Sequence, residues 1–138
     1  MAVKYLLDTS VFSQPIRPKP NLNCQRKWQK HGDARLAIPA MAIAELEFGL
    51  FLQNSDRLWS AYRSILKDRL ELFDFTAPVA SVFGEIKSRQ TRNGKPVDDF
   101  DLAIAATAIA HDLTLATLDA RHFQLIDDLR WEDWSKAA

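Results

Sequence analysis

Four short apolar runs, separated by longer segments with a helical pattern, constrain the fold of this chain most strongly. The runs are Val3 to Leu7, Leu36 to Ile38, Leu70 to Phe75 and Leu113 to Leu118. Apolar runs of this length predict buried strands. Strands that alternate with helices along a chain form a parallel sheet covered on both faces. We therefore predict an α/β fold.

The segments between these runs carry apolar residues at helical spacing. Helices are predicted from Ala40 to Gln53, from about Asp56 to Lys67, and from near Pro78 until the pattern fades before Gly94. Proline suits the first turn of a helix, which supports that third start. A fourth helix, from Asp98 to Ala110, begins with acidic residues and continues as an alanine-rich apolar stretch.

Two segments give weaker patterns. The stretch from Gln14 to Arg35 contains three prolines and is interpreted as a loop leading into a helix. A last short strand is predicted near Phe123 to Ile126. The 138 residues contain no internal repeat and no long linker, and this length suits one domain. We expect residues 1–138 to form a single domain.

Charge and cysteine content limit the possible partners and compartments. The formal net charge is zero, so the field of the whole protein attracts nucleic acid or anionic membranes only weakly, and local patches must hold any polyanion. Cys24 is the only cysteine, which favours a reducing compartment. No stretch approaches the roughly 20 apolar residues of a membrane span, and Asp8 ends the first apolar run too early for a signal peptide. We expect a cytoplasmic protein.

Four acidic residues fall where the predicted strands and helices meet. Asp8 directly follows the first strand, and Asp119 follows the fourth in Thr117-Leu118-Asp119. Asp101 lies in the first turn of the alanine-rich helix, and Glu45 lies about one turn into the helix after the second strand. Ligands of open parallel sheets bind at the carboxyl ends of the strands. All four acids are therefore expected at the same end of the sheet.

Clustered carboxylates repel one another, and each raises the pKa of its neighbours unless a cation lies among them. Mg²⁺ or Mn²⁺ suits oxygen ligands of this kind. His31, His111 and His122 lack the spacing of a zinc site, and one cysteine cannot form a thiolate site. A magnesium–carboxylate site supports phosphoryl transfer, since the metal activates water and neutralises charge on the phosphate.

Each acid also has a purely structural interpretation. Asp8 is equally suited to cap the helix that follows it, Asp101 to interact with a helix dipole, Glu45 to face solvent and Asp119 to open a turn. Four acids at one end of a sheet are harder to explain in this way than any one of them. Thr9, Ser10 and Thr117 are candidates to hydrogen-bond the ligand carboxylates or a phosphate, and bonding to the backbone of turns is an equally good interpretation. Asp98 is expected behind the ligands or at a solvated helix start.

Four segments of the chain resemble the signature blocks of the PIN domain, and more narrowly of VapC-type toxins. They are Leu6-Leu-Asp-Thr-Ser-Val-Phe12, Ile38-Pro-Ala-Met-Ala-Ile-Ala-Glu-Leu-Glu-Phe-Gly49, Asp101-Leu-Ala-Ile-Ala-Ala106 and Thr117-Leu-Asp-Ala-Arg-His-Phe123. They occur in the order and at the spacing of the family and cover nearly the whole chain.

The resemblance implies a three-layer α/β/α sandwich with a parallel sheet of strand order 3-2-1-4-5. It also implies an endoribonuclease that depends on Mg²⁺ or Mn²⁺, a homodimer, and a cognate antitoxin that occludes the site. The acidic residues of the family match Asp8, Glu45, Asp101 and Asp119, and its hydroxyl after the fourth strand matches Thr117.

Two basic stretches are candidates for contacts with RNA phosphates, which dominate RNA binding. One holds Arg17, Lys19, Arg26, Lys27 and Lys30, and the other holds Lys87, Arg89, Arg92 and Lys95. The second stretch leads straight into the helix of Asp101, and so we favour it as the substrate-binding stretch. A solvated helix face is the alternative for both. Aromatic residues such as Phe48 and Phe51 are expected in the core or, if exposed, in a dimer interface or antitoxin groove.

Two other classes of function fit less well. A receiver domain or a haloacid-dehalogenase-type phosphatase also places an acid after the first strand. The phosphatase needs a second aspartate two residues later, where this chain has Ser10, and the lysine and paired acids of a receiver are not evident. A catalytically silent binding module on the same fold would lack one of the acids. We therefore rank the nuclease first, the silent module second and phosphotransfer third.

Overall fold

The computed structural model describes residues 2–137, with a five-stranded parallel sheet at its centre. The strands are β1 (Tyr5–Leu7), β2 (Leu36–Pro39), β3 (Glu71–Phe73), β4 (Thr114–Thr117) and β5 (Trp131–Asp133). Their order across the sheet is β3-β2-β1-β4-β5, and every neighbouring pair is parallel. This confirms the predicted fold class and strand order.

Six α-helices occur in the described part of the chain. They are α1 (Thr9–Phe12), α2 (Leu22–His31), α3 (Ala40–Gln53), α4 (Asp56–Ile65), α5 (Ala77–Arg92) and α6 (Asp99–Ala110). The structure confirms the helix expected after the proline-rich stretch as α2, which begins where the Asn21 side chain caps the backbone N–H of Cys24. No helix in residues 2–137 combines the length and hydrophobicity that a membrane span needs.

One predicted strand is wrong. Residues Phe123–Leu125 form a single 3₁₀ turn, and the fifth strand is Trp131–Asp133 instead. Phe123 and Ile126 are buried, which produced the apolar pattern. Their backbone hydrogen bonds are local, however, and the β4 N–H of Leu115 bonds to the carbonyl of Arg130. The edge of β4 is occupied by Trp131–Asp133, and the buried residues Phe123–Leu125 therefore form a turn.

The core has two parts, one on each face of the sheet. Successive residues of β1 point to opposite faces: Leu7 packs in one part, together with residues of α1 to α4, and Leu6 packs in the other, with α5 and α6. Both side chains are fully buried. This packing on both faces fixes the carboxyl ends of β1 and β4 next to the first turn of α6.

Candidate active site

Asp8 is held at the carboxyl ends of the two central strands. Its backbone N–H continues the β1–β4 ladder by bonding to the carbonyl of Ala116 at 3.0 Å. Its Oδ1 accepts from the Val11 N–H at 3.0 Å and from the Ser10 hydroxyl at 2.6 Å, so it also caps α1. Its Oδ2 accepts from the Thr117 hydroxyl at 2.5 Å. The Asp8 side chain therefore both caps α1 and lines the site.

The Asp8 carboxylate is almost completely buried, at 6% exposure. Burial disfavours its charged form and raises its pKa from 3.8 to about 6. The hydrogen bonds from Ser10, Thr117 and Val11 act in the opposite direction, and the charge of Asp101 adds to the rise. A nearby cation would therefore stabilise the charged form of Asp8 and lower its pKa.

Glu45 reaches the same place from α3. The hydroxyl of Thr9 donates to its Oε1 at 2.6 Å, which ties α3 to the start of α1. Partial burial raises the pKa of Glu45, the Thr9 hydrogen bond lowers it, and the charges of Asp101 and Asp98 raise it further. Its environment therefore resembles that of Asp8, although Glu45 is less enclosed.

Asp101 and Asp119 complete the acidic set, and each contacts a side chain that follows β4. Asp101, in the first turn of α6, lies 3.1 Å from Nδ1 of His122. Asp119 accepts two hydrogen bonds from the Arg121 guanidinium, at 2.9 and 2.7 Å. These bonds hold the pKa of Asp119 at about 2, well below its ordinary value.

The four acids line one cleft of about 180 Å³. Its other lining residues are Thr9, Ser10, Ile104, His122 and Phe123. The structure therefore brings Asp8, Glu45, Asp101 and Asp119 together at the carboxyl end of the sheet. A second groove, of about 350 Å³, begins at Thr9 and Glu45 and continues between Ile16–Pro18 and the α3–α4 hairpin.

The donor set suits a hard divalent cation, since four carboxylates face one small cleft. As the side chains stand, no three His, Cys, Asp or Glu residues among residues 2–137 converge closely enough to hold a metal ion. Each carboxylate is directed to a partner of its own: Asp101 to His122, Asp119 to Arg121 and Glu45 to Thr9. The residues therefore fit a metal by the chemistry of their donors, although each carboxylate now has another partner.

The predicted supporting residues divide into two groups. Thr9, Ser10 and Thr117 each donate a hydrogen bond to one of the four carboxylates, and the Ser10 hydroxyl also accepts from the N–H of Leu118. Asp98 instead caps α6 by accepting from the N–H of Phe100 at 3.1 Å, and it does not line the cleft.

The basic stretch at the end of α5 lies outside the cleft lining. Lys87 pairs with Asp99 at 2.9 Å. Arg89 lies 3.1 Å from Asp128 and 3.8 Å from Glu85. Arg92 and Lys95 are exposed where α5 ends. Two of the four cations are thus already neutralised by carboxylates of the protein.

Sequence reasoning missed Arg121 and His122 as members of the site. The spacing of His122 excludes it from a zinc site, and the sequence assigns no role to Arg121. Both lie within the segment Thr117 to Phe123 that carried the fourth motif, so their proximity to Asp119 was the available signal. Which carboxylates they would contact depended on how the turn after β4 folds.

Comparison with known proteins agrees with this geometry. The sequence matches the PIN domain family over residues 5–129. The chain is 32% identical to the Toxin FitB of Neisseria gonorrhoeae, over 94% of this chain and 97% of that protein. It is 29% identical to the tRNA(fMet)-specific endonuclease VapC of Shigella flexneri, over 96% and 98% of the two chains.

Solved structures of complexes show the same fold. A chain of FitAcB from Neisseria gonorrhoeae has 30% identity and a TM-score of 0.80, covering 94% of this chain and 98% of that one. A chain of DNA-bound VapBC from Salmonella typhimurium has 28% identity and a TM-score of 0.82, covering 96% and 98%. The similarity therefore extends over nearly the full length of both chains.

Proposed function

We propose, since the chain belongs to the PIN-domain family, that it is a metal-dependent endoribonuclease and the toxin of a VapBC-type toxin–antitoxin pair. The observation that carries the proposal is one cleft lined by four carboxylates, with Asp8 buried among hydroxyl donors. The similar proteins named as ribonucleases and toxins support the assignment of substrate and role.

In this proposal Asp8, Glu45, Asp101 and Asp119 hold Mg²⁺ or Mn²⁺. The bound ion would supply an activated water and neutralise charge on the scissile phosphate. Thr117 and Ser10 fix both oxygens of Asp8, and Thr9 fixes Glu45, so these hydroxyls orient the carboxylates before the ion arrives. Arg121 pairs with Asp119, so it would become available to a phosphate only when Asp119 turns to the ion.

We also propose where two partners bind. The groove that begins at Thr9 and Glu45 suits a segment of the antitoxin, because an occupant of that groove would also cover the cleft. The structures of similar toxins in complexes support such a partner. The outer face of α3 exposes Phe48, Phe51 and Leu52 at 64, 68 and 70%, and we assign it to contact with a second copy of the chain. Cytoplasmic RNA is the proposed substrate.

The test is cleavage of total cellular RNA by the purified protein, free of antitoxin, with Mg²⁺ or Mn²⁺ and then with EDTA. The Asp8→Asn variant is assayed beside it, because asparagine keeps the cap of α1 but removes the charge. Discrete products that require metal and disappear in the variant support the proposal. No cleavage by folded protein would contradict it and would favour the silent binding module.

A further inference from the structure

Four cations line a hollow of about 150 Å³ between α2 and the segment after β5. They are Arg26, Lys27, Lys30 and Lys136, and we call them the α2 basic patch. Three of them are exposed, and Lys27 is half-buried. None of the four forms an ion pair with a carboxylate of residues 2–137. Their charge is therefore not neutralised by the described part of the protein.

Hydrogen bonds to the chain after β5 hold the patch in place. Asn23 on α2 donates to the carbonyl of Ser135 at 2.9 Å, and the Lys27 ammonium lies 3.4 Å from the carbonyl of Asp133. The carboxylate of Asp133 accepts from the N–H and hydroxyl of Ser135 at 2.9 and 2.6 Å. These bonds hold α2 against the segment after β5, while Arg26, Lys30 and Lys136 form no ion pair within residues 2–137.

The segment after β5 that anchors the patch lies at the same edge of the sheet as the cleft. Asp133 is opposite Thr117 in the β4–β5 register, and the Trp134 N–H bonds to the Thr117 carbonyl at 2.8 Å. Thr117 is the residue whose hydroxyl contacts Asp8. Neighbouring strands are about 4.8 Å apart, so the chain that anchors the patch is one strand away from the wall of the cleft.

The other basic stretch is a weaker candidate for the same role. A phosphate that approached Lys87 or Arg89 would have to compete with Asp99 or Asp128, which already pair with them. A phosphate at the α2 basic patch meets no such competition among the described residues. In a protein of zero net charge, the attraction for RNA has to come from a local patch of this kind.

We propose that the α2 basic patch binds the phosphate backbone of the RNA strand that flanks the scissile bond. This inference rests on the proposed ribonuclease function and assigns it a substrate-positioning surface. The contacts are to phosphates, and the patch therefore strengthens binding without selecting a base sequence.

The test measures binding of a fluorescently labelled single-stranded RNA oligonucleotide to the Asp8→Asn protein, which removes cleavage from the measurement. Arg26→Gln/Lys30→Gln is compared with Arg63→Gln/Lys67→Gln, a control that also removes one exposed arginine and one exposed lysine four residues apart. Kd is measured over a range of salt concentrations. Each lost phosphate contact reduces the slope of log K against log salt by about 0.7 for single strands.

We expect the patch variant to reduce this slope by about 1.4, which is roughly a 25-fold weaker Kd at 0.1 M salt if affinity at 1 M is unchanged. We expect the control variant to retain the parent slope, and Lys136→Gln to lower it by about 0.7. An unchanged slope in the patch variant, or an equal reduction of the slope in the control, would overturn the proposal. The patch would then be assigned to contact with a protein partner. Cleavage by the wild-type protein is assayed separately. A patch that does not bind RNA can therefore be distinguished from a protein that is not a ribonuclease.

Discussion

At the scale of single residues, Asp8 combines a structural and a chemical role in one carboxylate. It caps α1, continues the sheet ladder and faces the cleft. Because its pKa is raised to about 6, the folded protein binds a proton more readily than the unfolded chain between about pH 4 and pH 6. The free energy of unfolding therefore falls as pH rises through this window, by up to about 3 kcal/mol.

This leads to a prediction about stability in metal-free buffer. Asp8→Asn removes the cost of burying a charge, so the Tm of the variant relative to wild type should be higher at pH 7.5 than at pH 4.5. Thermal unfolding in EDTA at the two pH values measures this. Asp119→Asn is the control, because the lowered pKa of Asp119 means that its charge adds no such cost above pH 4. A relative Tm of Asp8→Asn that is the same at both pH values would contradict the prediction.

A second residue-scale prediction concerns Thr117, which contacts Asp8 from the end of β4. Thr117→Val keeps the shape of the side chain but removes the donor that orients Oδ2 of Asp8. We expect the Mg²⁺ concentration for half-maximal cleavage to rise about 10- to 100-fold. A metal titration of cleavage measures it, and Thr117→Ser should restore most of the loss. Equal behaviour of the valine and serine variants would show that the hydroxyl is not what matters.

At the scale of elements, α6 is enclosed by α5 and the sheet. Seven consecutive residues from Leu102 to Ala108 are buried, and four of them are alanines. Small side chains here allow α6 to pack closely against its neighbours, above all α5, and this packing fixes Asp101 at the cleft. The alanine-rich pattern was visible in the sequence, but it indicated only a helix and not how closely that helix packs.

We predict that Ala106→Leu destabilises the protein by about 1–3 kcal/mol, because the added atoms overfill a close-packed interface. It should also lower cleavage, since α6 must shift away from the sheet and takes Asp101 with it. Ala110→Leu, at an exposed position of the same helix, should change stability by less than about 0.5 kcal/mol. Urea denaturation of the wild type and the two variants measures both changes in the free energy of unfolding. Equal stability of all three proteins would contradict close packing of α6.

At the scale of the whole molecule, the surface exposes an apolar patch of the kind that marks an interaction site. Phe48, Phe51 and Leu52 lie together on the outer side of α3, away from the buried Ala42 and Leu50. The sequence predicts Phe48 and Phe51 in the core or, if exposed, in an interface. The structure places them on the surface.

We predict that the purified chain is a dimer and that Phe48→Glu/Leu52→Glu makes it a monomer. Two charges placed in an apolar interface lose their hydration when the interface forms, which disfavours assembly. Sedimentation velocity measures the mass. Ser81→Glu/Ser88→Glu adds the same charge to exposed positions of α5 and should leave the dimer intact. A dimer that survives the α3 substitutions would assign this face to another partner.

Family resemblance predicts the strand order, local periodicity predicts most helix bounds, and the strand ends predict four acids at one end of the sheet. These features depend on local periodicity and on strand ends, and both can be identified from residues that are close together in the sequence. The fifth strand at Trp131–Asp133 was missed, because an edge strand of three residues is defined by the partner it pairs with.

Which charges are available for binding depends instead on tertiary contacts. Sequence position favoured the stretch at the end of α5, yet folding brings Asp99 and Asp128 to its Lys87 and Arg89. Folding also joins Lys136 to the cations of α2, more than a hundred residues earlier in the chain. Ion pairs form between residues that are distant in sequence, so no local pattern reveals which cations remain free to bind a phosphate.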